Sequence, residues 1–356
     1  MTAGEASVRL ALVGYGWFAE LLHERVVPTL RGVEVVAAVD PDPGRRERAA
    51  AASLRVAASV QDLVAEVDAV AVLTPHDTHR EIVAAAAAAG LHVFCEKAFA
   101  VTSADCVAMM EACRDAGVVL AVGHMQKLFP AHRRAVEIAR SGELGEVLSV
   151  AVDGLHWCPV FPGWWRSVQR CGGLLYWTGI HDVDTMRALV GADAQTVVAV
   201  TGPRADDYTE YEDVVAVTIR YANGAVGTLH VAEQWPLQTF EESFRISVAL
   251  SRGGIRVTPG AALVEHAVRT GHERGELQAE SFGSFEAMEE EAYRRELEDF
   301  VVAVRAGATH HPSAVDGLRC VETLEAVYRS AASGAPEPVV RHDVEGYGGG
   351  SGTPPA

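Results

Sequence analysis

A strand that ends in glycine opens the chain. Val8–Val13 is apolar apart from Arg9 and runs straight into Gly14-Tyr15-Gly16-Trp17-Phe18-Ala19, and a helical pattern follows to about Leu30. Few folds accept a strand, G-x-G-x-x-[GA] and a helix in that order. The first glycine permits a tight turn, the second lets a pyrophosphate come close to the backbone, and Ala19 lets the helix pack tightly on the strand. A second strand, Val33–Val39, ends at Asp40, 21 residues after Ala19. A carboxylate there accepts both ribose hydroxyls of a dinucleotide and repels a 2′-phosphate, which favours NAD. Arg45 and Arg46 follow closely enough to leave NADP open as an alternative.

The same alternation continues. Ala69–Leu73, His92–Cys95 and Val118–Val122 are short apolar runs, separated by the alanine-rich helical stretches Thr78–Ala89 and Ser103–Ala116. Strands alternating with helices of this length predict an α/β, doubly wound parallel sheet. After about Pro130 the pattern changes. A helix, Ala131–Ser141, leads through Gly142 and Gly145 into Val147–Val152, and further β-like runs follow at Gln195–Thr201, Val214–Tyr221, Ala225–Glu233, Ser243–Leu250 and Ile255–Thr258. Their Gly-bearing turns, such as Tyr221-Ala222-Asn223-Gly224, predict an α+β domain with a large, mostly antiparallel open sheet and Gly179–Leu189 as a helix on one face. Phe285–Ala306 and Ser313–Ser330 read as closing helices. The expected division is a dinucleotide-binding domain over 1–128, a substrate-binding and oligomerisation domain over 129–343, and a Gly/Ser/Pro-rich disordered tail over 344–356.

Composition narrows the partners. A net charge of −18 over 356 residues argues against nucleic acid and against an anionic membrane. No apolar run reaches the roughly 20 residues that span a bilayer, and Met1-Thr2-Ala3-Gly4-Glu5 lacks the basic-then-apolar pattern of a signal peptide. A cytoplasmic protein is expected. Cys95, Cys106, Cys113, Cys158, Cys171 and Cys320 have no metal-type pairing and read as reduced, mostly buried thiols. His310-His311 and His342-Asp343 lack partners at ligand spacing, so no metal is expected. There is no Gly-x-Ser-x-Gly elbow for nucleophilic catalysis.

Two lysines stand against 28 arginines. Arginine is always protonated, whereas a desolvated lysine can pass a proton. Lys97, in Val93-Phe94-Cys95-Glu96-Lys97-Ala98, lies just beyond a predicted strand end, where ligand crevices form in such sheets. Lys127 follows the run Val118–Val122.

Several segments resemble one family, the Gfo/Idh/MocA oxidoreductases (glucose–fructose oxidoreductase and inositol dehydrogenase relatives). Beyond Gly14-x-Gly16-x-x-Ala19, Val72-Leu73-Thr74-Pro75-His76-Asp77-Thr78-His79 resembles the family's strand followed by Thr-Pro-x-x-x-His over the cofactor. Gly90-Leu91-His92-Val93-Phe94-Cys95-Glu96-Lys97-Ala98 resembles its G-K-H-V-x-x-E-K-P. Ser141-Gly142-Glu143-Leu144-Gly145-Glu146-Val147 resembles its entry into the second domain, and Gly172-Gly173-Leu174-Leu175-Tyr176-Trp177-Thr178-Gly179-Ile180-His181-Asp182-Val183-Asp184 its G-G-x-L-x-D-x-G-x-H-x-x-D. The closing Leu297–Phe300 and Asp316-Gly317 to Ser330 resemble the family's last two helices. The likeness spans residues 8–340 and implies a Rossmann domain followed by an open-sheet α/β domain, in a homodimer or homotetramer. Two positions depart from it: Ala98 stands where proline is usual, and Trp177 where aspartate commonly joins the lysine and histidine in catalysis.

The resemblance implies a cofactor site of Gly14, Gly16, Trp17, Phe18, Ala19, Asp40, Thr74, Pro75, His76, His79, Glu96 and Lys97, with Trp165 and Arg166 near the nicotinamide. Interconverting CH–OH and C=O needs one group that takes and returns the hydroxyl proton. Lys97 is the expected acid/base, and His181 is a second acid/base or a polariser of the substrate oxygen. Glu96 holds Lys97 or contacts the nicotinamide ribose. Trp157, Phe161, Trp164, Trp165, Tyr176 and Trp177 form either a domain-interface core or a wall that packs on the C–H face of a sugar or cyclitol ring. Arg166 anchors a polar substituent or lies on the surface. The expected substrate residues are His124, Lys127, Trp157, Tyr176, Trp177 and Asp182. The leading expectation is an NAD-dependent oxidoreductase of a small polyhydroxylated ring. A lyase or hydrolase working through transient oxidation, and a non-catalytic NAD or ligand sensor, are the competing ones.

Overall fold

The computed structural model describes residues 7–155, 163–205, 207–233, 244–308 and 311–344. The expected tail, Trp157, Cys158 and Phe161 therefore lie outside the described residues, apart from Val344 at the tail's start.

The chain divides into two compact units, the first holding the residues up to Gly123 together with Tyr293–Leu318, the second His124–Ala292 and Arg319–Arg341. A single cut near residue 128 does not follow the contacts of the two closing helices, Phe285–Arg305 and Pro312–Ser333, each of which contributes to both units.

In the first unit six strands lie in the order β3-β2-β1-β4-β5-β6, all parallel. They are β1 (Val8–Val13), β2 (Val33–Val39), β3 (Arg55–Ala57), β4 (Ala69–Val72), β5 (His92–Glu96) and β6 (Leu120–Gly123). This is the order of a dinucleotide-binding doubly wound sheet, with its switch point between β1 and β4. Central strands covered on both faces need continuous apolar runs, and Ala69–Val72 and Leu120–Gly123 are buried at every position. Only β3 was not expected; three residues are too few for a hydrophobic pattern. The helical run after the glycines changes pitch, from an α-turn at Trp17–Leu21 through a wider turn at Leu22–Val26 to a tight one at Val27–Thr29.

The second unit carries one ten-stranded sheet. Its path is β14-β13-β12-β11-β7-β10-β9-β8-β16, with β15 (Gln278–Ser281) pairing β13. The strands are β7 (Val147–Leu155), β8 (Ala194–Thr201), β9 (Val214–Tyr221), β10 (Val226–Ala232), β11 (Arg245–Leu250), β12 (Gly253–Thr258), β13 (Leu263–Thr270), β14 (Glu273–Arg274) and β16 (Glu337–Pro338). Only the β7–β10 pair is parallel. Burial alternates along β9 and β11, so one face is apolar and covered. Helix Pro130–Arg140 packs on β12 and β13, and helix Ile180–Val190 on β7 and β10. The opposite face exposes Val198, Val200 (67%) and Val226. Strands β13 to β16 escaped the sequence reading because Glu265, His266 and Arg269 interrupt the alternation and the others are two to four residues long. The five described cysteines, Cys95, Cys106, Cys113, Cys171 and Cys320, are buried thiols. Among the described residues no helix is long and apolar enough to cross a membrane.

Candidate active site

The glycine loop leaves β1 with Gly14 at φ +92°, a conformation that disfavours any side chain. A Cβ there would sit 2.9 Å from both the Leu73 carbonyl oxygen and Thr74 Cγ2. Gly16 is different: its backbone is extended and a Cβ would meet nothing within 4 Å, so its glycine keeps space open at the start of the helical run. Ala19 is fully buried against the sheet. An open cradle over exposed-backbone glycine at a helix start fits a pyrophosphate. Trp17 is exposed, while Phe18 packs on Tyr293 with ring centroids 5.2 Å apart.

Asp40 is buried at the end of β2. Its Oδ2 accepts the Tyr15 N–H at 2.8 Å and its Oδ1 the Asp42 N–H at 2.9 Å, and Arg45 Nη1 lies 3.4 Å from Oδ2. Asp40 thus shapes the glycine loop itself. The next helix is capped by Asp42, which accepts the Arg45 N–H at 2.9 Å. Arg46 is spent on the Asp40 and Pro41 carbonyls.

Beyond β4, the segment 74–79 supplies two buried histidines. His79 places Nε2 2.9 Å from the Thr74 carbonyl and Nδ1 3.1 Å from the Phe99 carbonyl, and burial lowers its pKa. His76 Nε2 accepts the Ala98 N–H at 3.1 Å. Thr78 Oγ1 bonds Thr74 Oγ1 at 2.8 Å and the Pro75 carbonyl at 2.7 Å, closing the turn.

At the end of β5, Glu96 Oε2 accepts the Lys97 N–H at 3.1 Å. Its other oxygen lies over Gly123 of β6, where a Cβ would come within 2.7 Å. Burial pushes the Glu96 carboxyl up to about 7 against the downward pull of the Lys97 charge. The folded protein therefore binds more protons than the unfolded chain between 4.5 and about 7, and this group costs stability as the pH rises through that window. Glu96→Gln, which keeps the neutral shape, is expected to melt progressively higher than wild type as the pH climbs through the window and to hold that difference above it. A melting difference that does not change with pH would mean that the carboxylate is not desolvated.

The second unit assembles a polar group from the turn Met125–Leu128 and the helix Ile180–Val190. Lys127 Nζ lies 3.2 Å and 3.3 Å from the two carboxylate oxygens of Asp184, whose side chain is 2% exposed. His124 Nδ1 is 3.9 Å from Asp184 Oδ2, and its ring meets His181 edge to face with centroids 6.2 Å apart. Gln126 Nε2 donates to Asp182 Oδ1 at 3.0 Å, and its carbonyl accepts from His132 Nδ1 at 2.7 Å; burial pushes the His132 pKa down to about 4. His181, His124 and Lys127 are therefore neighbours, as a shared site requires. Asp182 is engaged by Gln126, and the carboxylate beside Lys127 is that of Asp184. The signal was present: His181 and Asp184 are three apart on a helix and so share a face. His124, Asp184 and Cys320 also bring their ligand atoms within 4.8 Å of one another, a grouping invisible in their spacing along the chain. The cation already beside that carboxylate is Lys127.

The aromatic segment separates into two parts. Trp164 stacks on Trp165 at 3.8 Å, and Trp165 meets Trp177 at 3.9 Å and 62°, all three half-buried. Tyr176 is buried and stacks on Tyr328. Gly172 and Gly173, both at positive φ, make room for these two rings: a Cβ on Gly172 would lie 2.5 Å from Tyr176 and one on Gly173 2.5 Å from the Tyr328 hydroxyl. Tyr176 is thus core, not substrate wall. Arg166 is exposed, bonds the Tyr208 carbonyl and covers its ring at 4.3 Å, so its partner within the unit is Tyr208.

The strand order, the glycine cradle and the strand-end lysine define a dinucleotide-dependent oxidoreductase. The family description "Oxidoreductase family, NAD-binding Rossmann fold" matches residues 8–124, and "Oxidoreductase family, C-terminal alpha/beta domain" matches residues 137–339. The chain belongs to the Gfo/Idh/MocA oxidoreductase family, and its cofactor is NAD. It is 28% identical over 337 residues to inositol 2-dehydrogenase of Rhizobium meliloti, covering 92% of this chain and 97% of that one. It is 29% identical over 264 residues to 2,7-anhydro-N-acetylneuraminate hydratase of Escherichia coli, covering 70% of each. Among solved structures, GenD2 from gentamicin A biosynthesis, in complex with NAD, superposes with a TM-score of 0.81 at 27% identity, covering 95% of this chain and 97% of that one.

Proposed function

We propose that the protein interconverts CH–OH and C=O on a sugar, cyclitol or related polyhydroxylated ring, with Lys97 as the acid/base. The observation that carries this reading is the placement of Lys97, directly after β5 and beside a Glu96 carboxyl held near neutrality by burial. Bound NAD supplies the hydride acceptor for the oxidised carbon. Lys97, as the neutral amine, takes the hydroxyl proton, and as the ammonium it returns it to the carbonyl oxygen in the reverse direction. His181 donates to or polarises the same oxygen. The pair Lys127 and Asp184 holds a hydroxyl-bearing edge of the ring, the ammonium donating and the carboxylate accepting. The face of the tryptophan group Trp164, Trp165 and Trp177 packs on the C–H face of the ring. Asp40 reads the adenosine ribose and favours NAD over NADP. The exposed face of the second sheet, with Val198, Val200 and Val226, meets a second copy in a homodimer or homotetramer. The enzyme works in the cytoplasm, in keeping with its buried thiols.

A second reading keeps the same oxidation but makes it transient, so that NAD is regenerated after an elimination or hydration. One observation favours it, the likeness to a hydratase; the indole of Trp177 where the family commonly has a carboxylate favours the non-catalytic sensor instead. One screen separates the two. Purified protein is mixed with NAD and a panel of inositols, aminocyclitols, aldoses and their keto forms, following NADH absorbance and substrate loss together. NADH formed in step with substrate loss is the expected result. Substrate loss without net NADH would establish the transient cycle, and tight NAD binding without any turnover would leave the protein a sensor.

A further inference from the structure

Ala98 stands where the family motif has proline, and unlike proline it carries a backbone N–H. That N–H is fully buried and donates to His76 Nε2 at 3.1 Å. The bond fixes the remaining ring proton of His76 on Nδ1. One residue further on, the Phe99 carbonyl lies 3.1 Å from His79 Nδ1, and the two imidazoles meet edge to face at 5.8 Å. The peptide that carries Lys97 is therefore gripped on its C-terminal side by two histidines from the segment after β4, the strand next to β5. With proline at 98 this N–H would be absent; with alanine and an apolar residue at 76, the Ala98 N–H would lose this acceptor.

We propose that His76 is a positioning residue for Lys97: it accepts the Ala98 N–H and so sets the direction in which the lysine leaves β5, and His76 and Ala98 form a matched pair that replaces the usual proline. The role rests on the reading of Lys97 as acid/base, and it differs from a direct contact between His76 and the cofactor.

The two-lysine composition provides a readout that needs no substrate. Reductive methylation with ¹³C-formaldehyde labels Lys97, Lys127 and the N-terminal amine, and loss of a signal in Lys97→Met assigns the first. The Lys97 signal is titrated in the full-length protein saturated with NAD. His76→Leu is expected to move its midpoint by at least ~0.5 pH unit, since a changed exit direction alters its distance to Glu96 and to solvent. The Lys127 midpoint stays in place. His76→Gln, whose amide oxygen can accept the same N–H, returns the midpoint to the wild-type value. In an Ala98→Pro background the substitution His76→Leu moves nothing further, because there is no N–H left to receive. NAD affinity, measured by calorimetry in the same variants, is the separate readout for a direct contact between position 76 and the cofactor.

An equal shift from His76→Leu in both backgrounds, no recovery in His76→Gln, or a loss confined to NAD affinity would each overturn the proposal. If Ala98→Pro does not fold, the glutamine rescue alone decides. The outcome is separable from the reading of Lys97 itself, which falls only if Lys97→Met turns substrate over at the wild-type rate.

Discussion

Lys97→Met is expected to lower the single-turnover rate of hydride transfer by at least ~100-fold, the ordinary scale for a lost acid/base. Methionine keeps the length and apolar stem of the side chain and removes only the group that carries the proton. The dinucleotide should bind within a few-fold of wild type. The proposed pyrophosphate and ribose sites lie in other loops, at Gly14–Ala19 and at Asp40. The indole of Trp177 carries no titratable proton, so the family's usual carboxylate is not there to compensate. A variant that transfers hydride at nearly the native rate would remove Lys97 from the mechanism and leave its scarcity in the chain unexplained.

The second large effect concerns the two glycines, which the structure makes necessary for different reasons. At Gly14 an alanine would have to adopt φ +92° and would bring its Cβ to 2.9 Å from the Leu73 carbonyl. The loop must then pull away from β4, and the bonds from the Gly14 N–H to the Val39 carbonyl and from the Tyr15 N–H to Asp40 stretch with it. Gly14→Ala is expected to destabilise the protein by ~2 kcal/mol or more and to weaken NAD by more than ~10-fold. Gly16→Ala has open space and an ordinary backbone, so it should melt close to wild type while NAD affinity falls, the new methyl group standing where the pyrophosphate approaches. Thermal melts and calorimetry on the pair separate the two roles. Matched behaviour of the two variants would mean that the cradle is not shaped as described.

The first sheet was legible because its central strands are buried on both faces, and double burial writes itself as a nearly continuous apolar run: Val8–Val13, interrupted only by Arg9, and Ala69–Val72 needed no partner to be recognised. The long helices Ser103–Ala116 and Phe285–Arg305 were legible for a related reason, each being long enough for its pattern to repeat several times. The strands after residue 258 were not, because β14 and β16 are two residues each and owe their conformation to hydrogen bonds with β13 and β8. The site divides in the same way. The glycine loop, Asp40 and Lys97 are local features, tied to a strand end that the sequence marks. The ion pair of Lys127 with Asp184 joins residues 57 apart, and no spacing rule connects them.

By itself, then, the sequence determined the class of sheet and the strand-to-glycine turn that opens it, and it nominated Lys97 for the proton, since each follows from short-range stereochemistry and from which residue types can do the chemistry. Only the tertiary structure decided the assignments that depend on distant partners. Asp40 shapes the glycine loop as well as ending β2, Tyr176 belongs to the core while Trp177 joins Trp165, Asp184 holds the second lysine, and His76 receives the N–H that Ala98 has and proline lacks. Hydrogen bonds and burial between residues far apart in sequence exist only once the chain has closed on itself.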